Sequence, residues 1–173
     1  MEEYSITLLR EDQSDLFFDV IQANRSRLED FFAGTLAHTK TRADAISYCK
    51  EIQERIKQKT YFPYVITHIS HPGIVGLIDV KNIDWGIPKA ELGAFIDVSF
   101  EGKGIITTHL KQLVEYIVSM HGFKKLLCRI SPENYRSIKV AQSCGFQLEG
   151  TIRRDYRTTC GTVVDLNYYG RIF

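Results

Sequence analysis

The segment with the clearest chemical potential runs from Asp97 to Thr108, where a predicted strand ends, two glycines follow and a predicted helix begins. Gly102 and Gly104 permit a sharp turn, because glycine tolerates positive φ, and they leave the backbone N–H groups uncovered. Those N–H groups, together with the positive end of the helix dipole, would attract a phosphate group. Lys103 would add positive charge at the same turn.

This glycine pair is open to three interpretations. A Gly-x-Gly turn also fits a helix start that binds nothing. A dinucleotide site of the GxGxxG type does not fit, because Thr107 stands where the third glycine belongs, and a GxxxxGK[ST] phosphate loop is absent from the sequence. The third interpretation is a pyrophosphate site of another kind.

The elements that must position this turn follow from hydrophobic periodicity. Strands are expected at residues 4–9, 61–69, 74–80, 91–98, 125–130, 146–156 and 163–171. Helices are expected at about residues 14–32, 42–59, 103–120 and 134–144, with a loop at 33–41 and a turn at 71–73. This order predicts an α/β fold with a mixed sheet and helices packed on it. The strand–helix–strand unit at 91–130 predicts parallel strands with a right-handed crossover.

Composition narrows the class of protein. The chain has 173 residues and no repeat or linker, so we expect one domain over residues 1–173. Lys and Arg number 22 against 21 Asp and Glu, a net charge of +1, which argues against direct nucleic-acid binding. Four cysteines without a CxxC pair or a close Cys/His cluster predict no metal site.

The compartment is also predicted from sequence. No apolar run approaches the length of a membrane span, so no membrane partner is expected. The start Met1-Glu2-Glu3-Tyr4 lacks the basic and apolar segments of a signal peptide. We therefore expect a cytoplasmic protein with reduced thiols.

Several blocks together resemble the GNAT acetyltransferases. Residues 99–104 are similar to motif A of that family, written [QR]xxGx[GA]: both glycines match, and Ser99 stands at the Gln/Arg position. Residues 134–146 resemble the NxxSxxxxxxxGF block, and residues 90–96 resemble the fourth strand of the family. The N-terminal half and the closing hairpin resemble the RimJ/RimL branch, which acetylates the N-termini of ribosomal proteins. The resemblance covers essentially the whole chain.

The resemblance implies a fold, a cofactor and a reaction. The sheet would be mostly antiparallel, with its fourth and fifth strands splayed around the pantetheine arm of acetyl-coenzyme A. The acetyl group would pass to a primary amine by direct attack, the acceptor being a protein N-terminal α-amine or a small amine. Related proteins often pair, so a homodimer is compatible with the family. The residues that the resemblance assigns to the cofactor are Ile96 and Val98 for the arm, Gly102, Lys103, Gly104, Ile105, Ile106 and Thr107 for the pyrophosphate, and Asn134 for the pantetheine or the departing sulfur.

The catalytic groups are less clearly marked. Many family members place a tyrosine acid seven residues after the asparagine, where this chain has Ala141. Ser137 is the replacement candidate, as a hydrogen-bond donor to the thiolate or simply a group that binds the cofactor or caps the helix. Glu91 is the candidate base, acting through water; the alternative is an exposed strand charge. Asn134 also fits a plain helix N-cap.

The ionisation of the acceptor favours an N-terminal α-amine. With a pKa of about 8, roughly a tenth of such an amine is neutral at pH 7, whereas a lysine side chain is neutral in fewer than about one molecule in a thousand. A weak, water-relayed base would therefore suffice. The missing tyrosine keeps a non-catalytic acyl-CoA-binding module open, and a polyamine or antibiotic acceptor is a further alternative.

Overall fold

The computed structural model describes residues 3–173, which form one seven-stranded sheet in the order β1-β2-β3-β4-β5-β7-β6. Neighbouring strands are antiparallel except for the parallel pair β4–β5. The strands are β1 Tyr4–Leu8, β2 Phe62–His68, β3 His71–Asp84, β4 Lys89–Ile96, β5 Lys125–Ile130, β6 Gln147–Arg157 and β7 Val163–Ile172. The predicted mixed, mostly antiparallel α/β fold is confirmed.

Helices cover both faces of the sheet. They are α1 Ser14–Ala23, α2 Arg25–Leu28, α3 Ala33–Ala37, α4 Arg42–Lys57, α5 Ile105–His121 and α6 Tyr135–Ser143. On one face α5 packs through a stripe at helical spacing, with Leu110, Val114 and Ile117 buried against Ile78 and Val80 of β3. On the other face α1 and α4 pack on Leu77 and on Phe95 of β4. Strand alternation thus gives each strand one side for each helical layer.

The opening between β4 and β5 is the feature of the sheet that positions the site. The two strands pair only from Lys89 to Glu91 on β4 and from Lys125 to Leu127 on β5. Beyond those residues β4 continues to Ile96 and β5 to Ile130 without pairing to each other. Glu91 is therefore the last residue of β4 that pairs with β5, and it lies where the gap begins.

The N-terminal helices differ from the prediction at two places. The helix expected at 14–32 is interrupted at Asn24, whose buried amide donates to the Val20 carbonyl at 2.9 Å and to Asp97 Oδ2 at 2.7 Å. These bonds tie the chain to the end of β4 instead of continuing the helix. The loop expected at 33–41 contains the short helix α3, stabilised by the burial of Thr35 and Leu36.

Two strand boundaries were also predicted wrongly. The strand expected to reach Val98 ends at Ile96, because Asp97 accepts the Ser99 N–H at 2.9 Å and starts a 3₁₀ turn at Val98–Phe100. The turn expected at 71–73 is part of β3, which begins at His71 and extends to Asp84. None of the helices within residues 3–173 has the length and apolar composition needed to cross a membrane.

Candidate functional site

A cleft of about 1080 Å³ opens where β4 and β5 separate. Its walls come from both strands, the first turn of α5, α6, the α2–α3 segment and β6. Small-molecule pockets commonly measure about 300–1,000 Å³, so this cleft has room for more than one ligand. It joins the glycine turn to Glu91 and Ser137, which the sequence alone could not place together.

The glycine turn at one end of the cleft has the geometry that the sequence predicted. Gly102 and Gly104 have φ of 75° and 73°, and Gly104 is the left-handed N-cap of α5, with no side chain capping the helix. A Cβ on either glycine would meet no atom within 4 Å, so the turn is open on its outer side. The first N–H groups of a helix have no partner within the helix, so those that follow Gly104 can face a ligand.

Only some of the residues that were predicted to bind the pyrophosphate and the pantetheine arm lie in the cleft wall. Those that line the cleft are Ile96, Gly102, Gly104, Ile105, Ile106 and Thr107. Val98 is 55% exposed and its N–H donates to Asn24 Oδ1 at 3.2 Å. Lys103 lies outside the cleft wall, with its Nζ 5.0 Å from the centre of the Phe100 ring. The structure therefore does not bring Val98 and Lys103 to the cleft with the others.

Two arginines supply the positive charge that the sequence had assigned to Lys103. Arg27 and Arg136 both pair with Glu101, the residue before the glycine turn, and all three line the cleft. The bond from Arg136 Nη1 to Glu101 Oε2 is 2.9 Å, and the Arg136 side chain is 85% exposed. The two guanidinium groups and the one carboxylate leave the rim of the turn with net positive charge.

Asn134 and Ser137 meet the cleft at the start of α6. Asn134 is the N-cap, because its Oδ1 accepts the Ser137 N–H at 3.1 Å, which confirms the capping interpretation. Both residues line the cleft, as does the buried Ala141 one turn further on. Within residues 3–173 the Ser137 hydroxyl has no protein hydrogen-bond partner, so it is free to donate to a ligand in the cleft.

Glu91 is buried rather than exposed, so the alternative of an exposed strand charge is wrong. It is 7% exposed, and its Oε2 accepts from Asn82 Nδ2 at 2.7 Å and from Arg129 Nε at 2.9 Å. No protein donor bonds its Oε1 among the described residues. One carboxylate oxygen is thus anchored, while the other can take a proton through water.

Arg129 connects Glu91 to the last hairpin. Its Nη1 lies 3.5 Å from Asp155 Oδ2, which also accepts the Tyr168 hydroxyl at 2.8 Å. Burial lowers the pKa of Arg129, but the charge of Glu91 and its hydrogen bond outweigh burial, so the pKa is raised overall. Arg129 therefore stays cationic beside the buried carboxylate.

A second charged pair lies on β3, on the same face of the sheet. Asp79 is 2% exposed, and the Lys81 Nζ lies 3.4 Å from its carboxylate. The Tyr61 hydroxyl donates to Asp79 Oδ2 at 3.3 Å. Burial, followed by the charge of Asp79, raises the pKa of Tyr61 well above its ordinary value, so the phenol stays protonated.

Sequence reasoning missed several charged side chains that line the cleft, among them Arg27, Asp79, Lys81 and Arg129. The signal for Asp79 was present, since a carboxylate inside the apolar run from Ile74 to Val80 is uncommon unless it is paired. Arg27 and Arg129 reach the cleft only through tertiary packing and strand register, which no local pattern encodes.

The cysteines near the cleft are not arranged as nucleophiles. Cys128 lines the cleft, and burial, followed by the charge of Glu91, raises the pKa of its thiol to about 12. Burial also raises the pKa of the Cys144 thiol. Cys160, exposed near the tip of the last hairpin, is the opposite case: hydrogen bonds from Thr158 and then Thr162 lower its pKa to about 7. The thiols in the core are therefore protonated near neutral pH.

No group of three or more His, Cys, Asp or Glu side chains suited to a metal ion occurs within residues 3–173.

Comparisons with known proteins agree with this geometry. A family model described as an acetyltransferase (GNAT) domain matches residues 6–147. The putative ribosomal N-acetyltransferase YdaF of Bacillus subtilis is 29% identical over 171 residues, which covers 97% of this chain and 90% of YdaF. The probable N-acetyltransferase YjcK of the same organism is 27% identical over 108 residues, or 62% of this chain. That match spans 60% of the length of YjcK.

The fold has a solved counterpart with a ligand. RimL, described as a ribosomal L7/L12 alpha-N-protein acetyltransferase in complex with coenzyme A, has a TM-score of 0.90 to this structure. The alignment covers 100% of this chain and 96% of that one, at 17% identity. At this identity the likeness establishes the shared fold.

The glycine turn gives a prediction with an internal control. Gly104 and Gly122 flank α5, have φ of 73° and 72°, and would each meet no atom with an added Cβ. Gly104→Ala and Gly122→Ala should both lower the free energy of unfolding by about 1–2 kcal/mol, the cost of a left-handed alanine. Only Gly104→Ala should weaken the binding of coenzyme A, because its methyl group would occupy the open side of the turn and keep the pyrophosphate from one N–H. The expected loss is roughly tenfold, the order of one hydrogen bond to a charged group.

Calorimetric titration with coenzyme A measures the affinities, and denaturant unfolding measures the stabilities. Equal affinities in the two variants would mean that the turn at the start of α5 does not hold the ligand.

The cysteines give a second prediction. Iodoacetamide near pH 7 should alkylate Cys160 first, with a rate that rises as pH passes through about 7 and the thiolate forms. Cys128 should stay unmodified, because its pKa of about 12 keeps it protonated. Mass spectrometry of the native protein identifies the alkylated residue, and Cys160→Ser should abolish the fast reaction. Modification of Cys128 at a similar rate would show that this thiol is accessible to solvent.

Proposed function

The chain belongs to the GNAT acetyltransferase family, and we propose that it transfers the acetyl group of acetyl-coenzyme A to the α-amine at the N-terminus of a protein or peptide. The observation that carries this proposal is the single cleft that joins the uncapped start of α5 to Glu91 and Ser137. A diphosphate at one end and a reacting amine at the other would meet across the gap between β4 and β5.

The cofactor half of the cleft fits coenzyme A through backbone groups. The N–H groups from Gly102 to Thr107 would bind the pyrophosphate, with Arg27 and Arg136 adding charge. The pantetheine arm would then run between β4 and β5, where unpaired strand edges offer amide partners. Ile96 lies on this edge.

The reaction needs two protons to be managed. The amine nitrogen bonds to the thioester carbonyl carbon as the carbon–sulfur bond breaks, and sulfur leaves as a thiolate. Glu91 takes the amine proton through a water at its free Oε1, while Arg129 and Asn82 fix the other oxygen. The Ser137 hydroxyl donates a hydrogen bond to the departing sulfur, and Asn134 holds the turn that presents it.

The acceptor half of the cleft favours an acceptor with a single positive charge. Its carboxylates, Asp79 and Glu91, are already paired with Lys81 and Arg129. Arg55 adds a further cation, positioned over the Tyr61 ring at 4.4 Å. A polyamine would bring several positive charges to cations that line the same wall, which opposes binding. An N-terminal α-amine brings one charge and requires only a weak base.

Two substitutions test the catalytic assignment. Glu91→Gln should lower kcat by about 10²- to 10⁴-fold, the usual contribution of a general base. Ser137→Ala should lower kcat by roughly tenfold to a hundredfold, as expected for one hydrogen bond to a charged group. Neither should alter coenzyme A affinity appreciably. Mass spectrometry of a peptide acceptor measures acetylation, and calorimetry measures affinity.

The exposed Ser119, on α5 and outside the cleft wall, offers a matched control for Ser137. Ser119→Ala should leave kcat unchanged. Full activity in Glu91→Gln would exclude Glu91 as the base. A non-catalytic binding module would be favoured by a different result. In that case the unmodified protein would bind coenzyme A tightly but acetylate no amine in a panel of peptides, amino acids and polyamines.

The single domain over residues 1–173, a homodimer, the absence of direct nucleic-acid binding and a cytoplasmic location remain predictions from sequence.

A further inference from the structure

Lys81 is a positively charged residue in the acceptor half of the cleft that the proposed reaction does not use. It lies on β3 directly opposite Glu91 of β4 in the strand register, and both side chains line the cleft. Side chains at opposed positions of antiparallel strands have Cβ atoms about 4.5–5.5 Å apart. Lys81 is therefore an immediate neighbour of the candidate base.

The ammonium group of Lys81 is held in place by a carboxylate and an aromatic ring. Its Nζ lies 3.4 Å from the Asp79 carboxylate and 5.3 Å from the centre of the Phe32 ring. Gly93 makes room for the pair, because a Cβ there would lie 2.4 Å from Asp79 Oδ1 and 2.8 Å from Lys81 Nζ. A cation in this setting has a fixed position in the wall of the cleft.

The contact with Asp79 leaves N–H donors of the Lys81 ammonium group available for further hydrogen bonds. A lysine carries three N–H donors, and contacts of 3.4 Å are long for charge-assisted hydrogen bonds, which are commonly about 2.7–2.9 Å. Asp79 Oδ1 accepts no hydrogen bond at all within the described residues. Burial lowers the pKa of Lys81, but the charges of Asp79 and Glu91 outweigh it and raise the pKa overall, so the group stays an ammonium.

A fixed ammonium group beside the base would repel a positively charged acceptor. A hydrogen bond from the ammonium group to an oxygen of the acceptor would offset this repulsion. In a peptide with a free N-terminus, two carbon atoms, Cα and the carbonyl carbon, separate the α-nitrogen from the first carbonyl oxygen. An amine held beside Glu91 would therefore carry this oxygen within reach of the neighbouring strand, where Lys81 lies.

We propose that Lys81 donates a hydrogen bond to the carbonyl or carboxylate oxygen next to the reacting amine and so selects α-amino acyl acceptors over plain alkylamines. This inference rests on the proposed acetyl transfer to an amine. It assigns Lys81 as a specificity-determining residue of the acceptor site, with Asp79, Phe32 and Gly93 as the groups that position it.

The test compares acceptors that differ only beside the amine. Alaninamide and isopropylamine share the same carbon branching, but a methyl group replaces the carboxamide in isopropylamine. A short peptide with a free N-terminus and free alanine complete the panel, since the peptide presents a carbonyl and alanine a carboxylate. For each acceptor, kcat/KM is measured in the unmodified protein and in Lys81→Met, which keeps the length and removes the charge.

Lys81→Met should lower kcat/KM for the peptide and for alaninamide by roughly tenfold to a hundredfold, as for one hydrogen bond to a charged group. It should leave isopropylamine unchanged or faster. The ratio between variant and unmodified protein is taken for each acceptor, so differences in amine pKa cancel. A larger loss for alanine than for alaninamide would identify a carboxylate as the preferred partner. If isopropylamine reacts too slowly to follow, its inhibition constant against peptide acetylation is compared between the unmodified protein and Lys81→Met.

Lys89→Met is the matched control. Lys89 lies on β4 outside the cleft wall and approaches Asp84 at 3.8 Å, so its substitution should affect no acceptor. Lys81→Met leaves the buried Asp79 without a cation, which could prevent folding. In that case the double variant Asp79→Asn with Lys81→Met, which removes both charges, is used in its place. Lys81→Arg, which keeps the donors, should retain preference for alaninamide.

An equal loss for all acceptors would overturn the inference, because Lys81 would then act on Glu91 or on the structure. The inference would also be overturned if Lys81→Met kept the same preference for alaninamide over isopropylamine as the unmodified protein. A lack of acetylation of every acceptor by the unmodified protein is a different result, since that would overturn the proposed function itself.

Discussion

The separation of β4 from β5 is the constraint on which the rest of the site depends. Strand edges that lose their partner leave backbone N–H and C=O groups unpaired, and such groups require another partner. Here pairing stops at Glu91, while the two strands continue to Ile96 and Ile130. The gap therefore provides polar backbone edges for an extended ligand. Glu91 lies at its inner end, and the glycine turn lies beyond the outer end of β4. Asn134 and Ser137 follow β5 and close the other side.

Charge divides the cleft into two functional halves. At the glycine turn, Arg27 and Arg136 outnumber Glu101 and stand beside N–H groups that have no helical partner, so this half attracts an anion. Across the sheet, Asp79, Lys81, Glu91, Arg129 and Asp155 alternate in sign, and each charge lies beside an opposite one. Burial of an unpaired charge is costly, which explains why these charges occur in pairs. The pairing also leaves little net charge to attract a polycation.

The sequence was most informative where the signal is local. The order of elements, the turn at Gly102 and Gly104 and the cap at Asn134 depend on residues close together in the chain, and the structure agrees with each. Sequence reasoning was weakest where distant residues decide. β4 stops before Val98, where Asn24 and Asp97 bond each other across the fold. The burial of Glu91, which the sequence left open, depends on its pairing with Arg129, 38 residues away in the chain. Lys81 shares a face with Glu91 only through the β3–β4 register.

The alanine at position 141 is consistent with a reaction that needs little acid catalysis. A thiol has a pKa near 8.5 and an α-amine one of about 8, so the leaving group is a stable anion and the nucleophile loses its proton readily near neutral pH. In the proposed reaction, a hydrogen bond from Ser137 would lower the energy of the departing thiolate without transferring a proton to it, and water would protonate the thiolate afterwards. Ala141, buried one turn further along α6, also lines the cleft, but its methyl group has no proton to donate to the sulfur. In the proposed reaction, a strongly basic amine would demand a more powerful base than Glu91 acting through water, so the arrangement favours an α-amine as the acceptor.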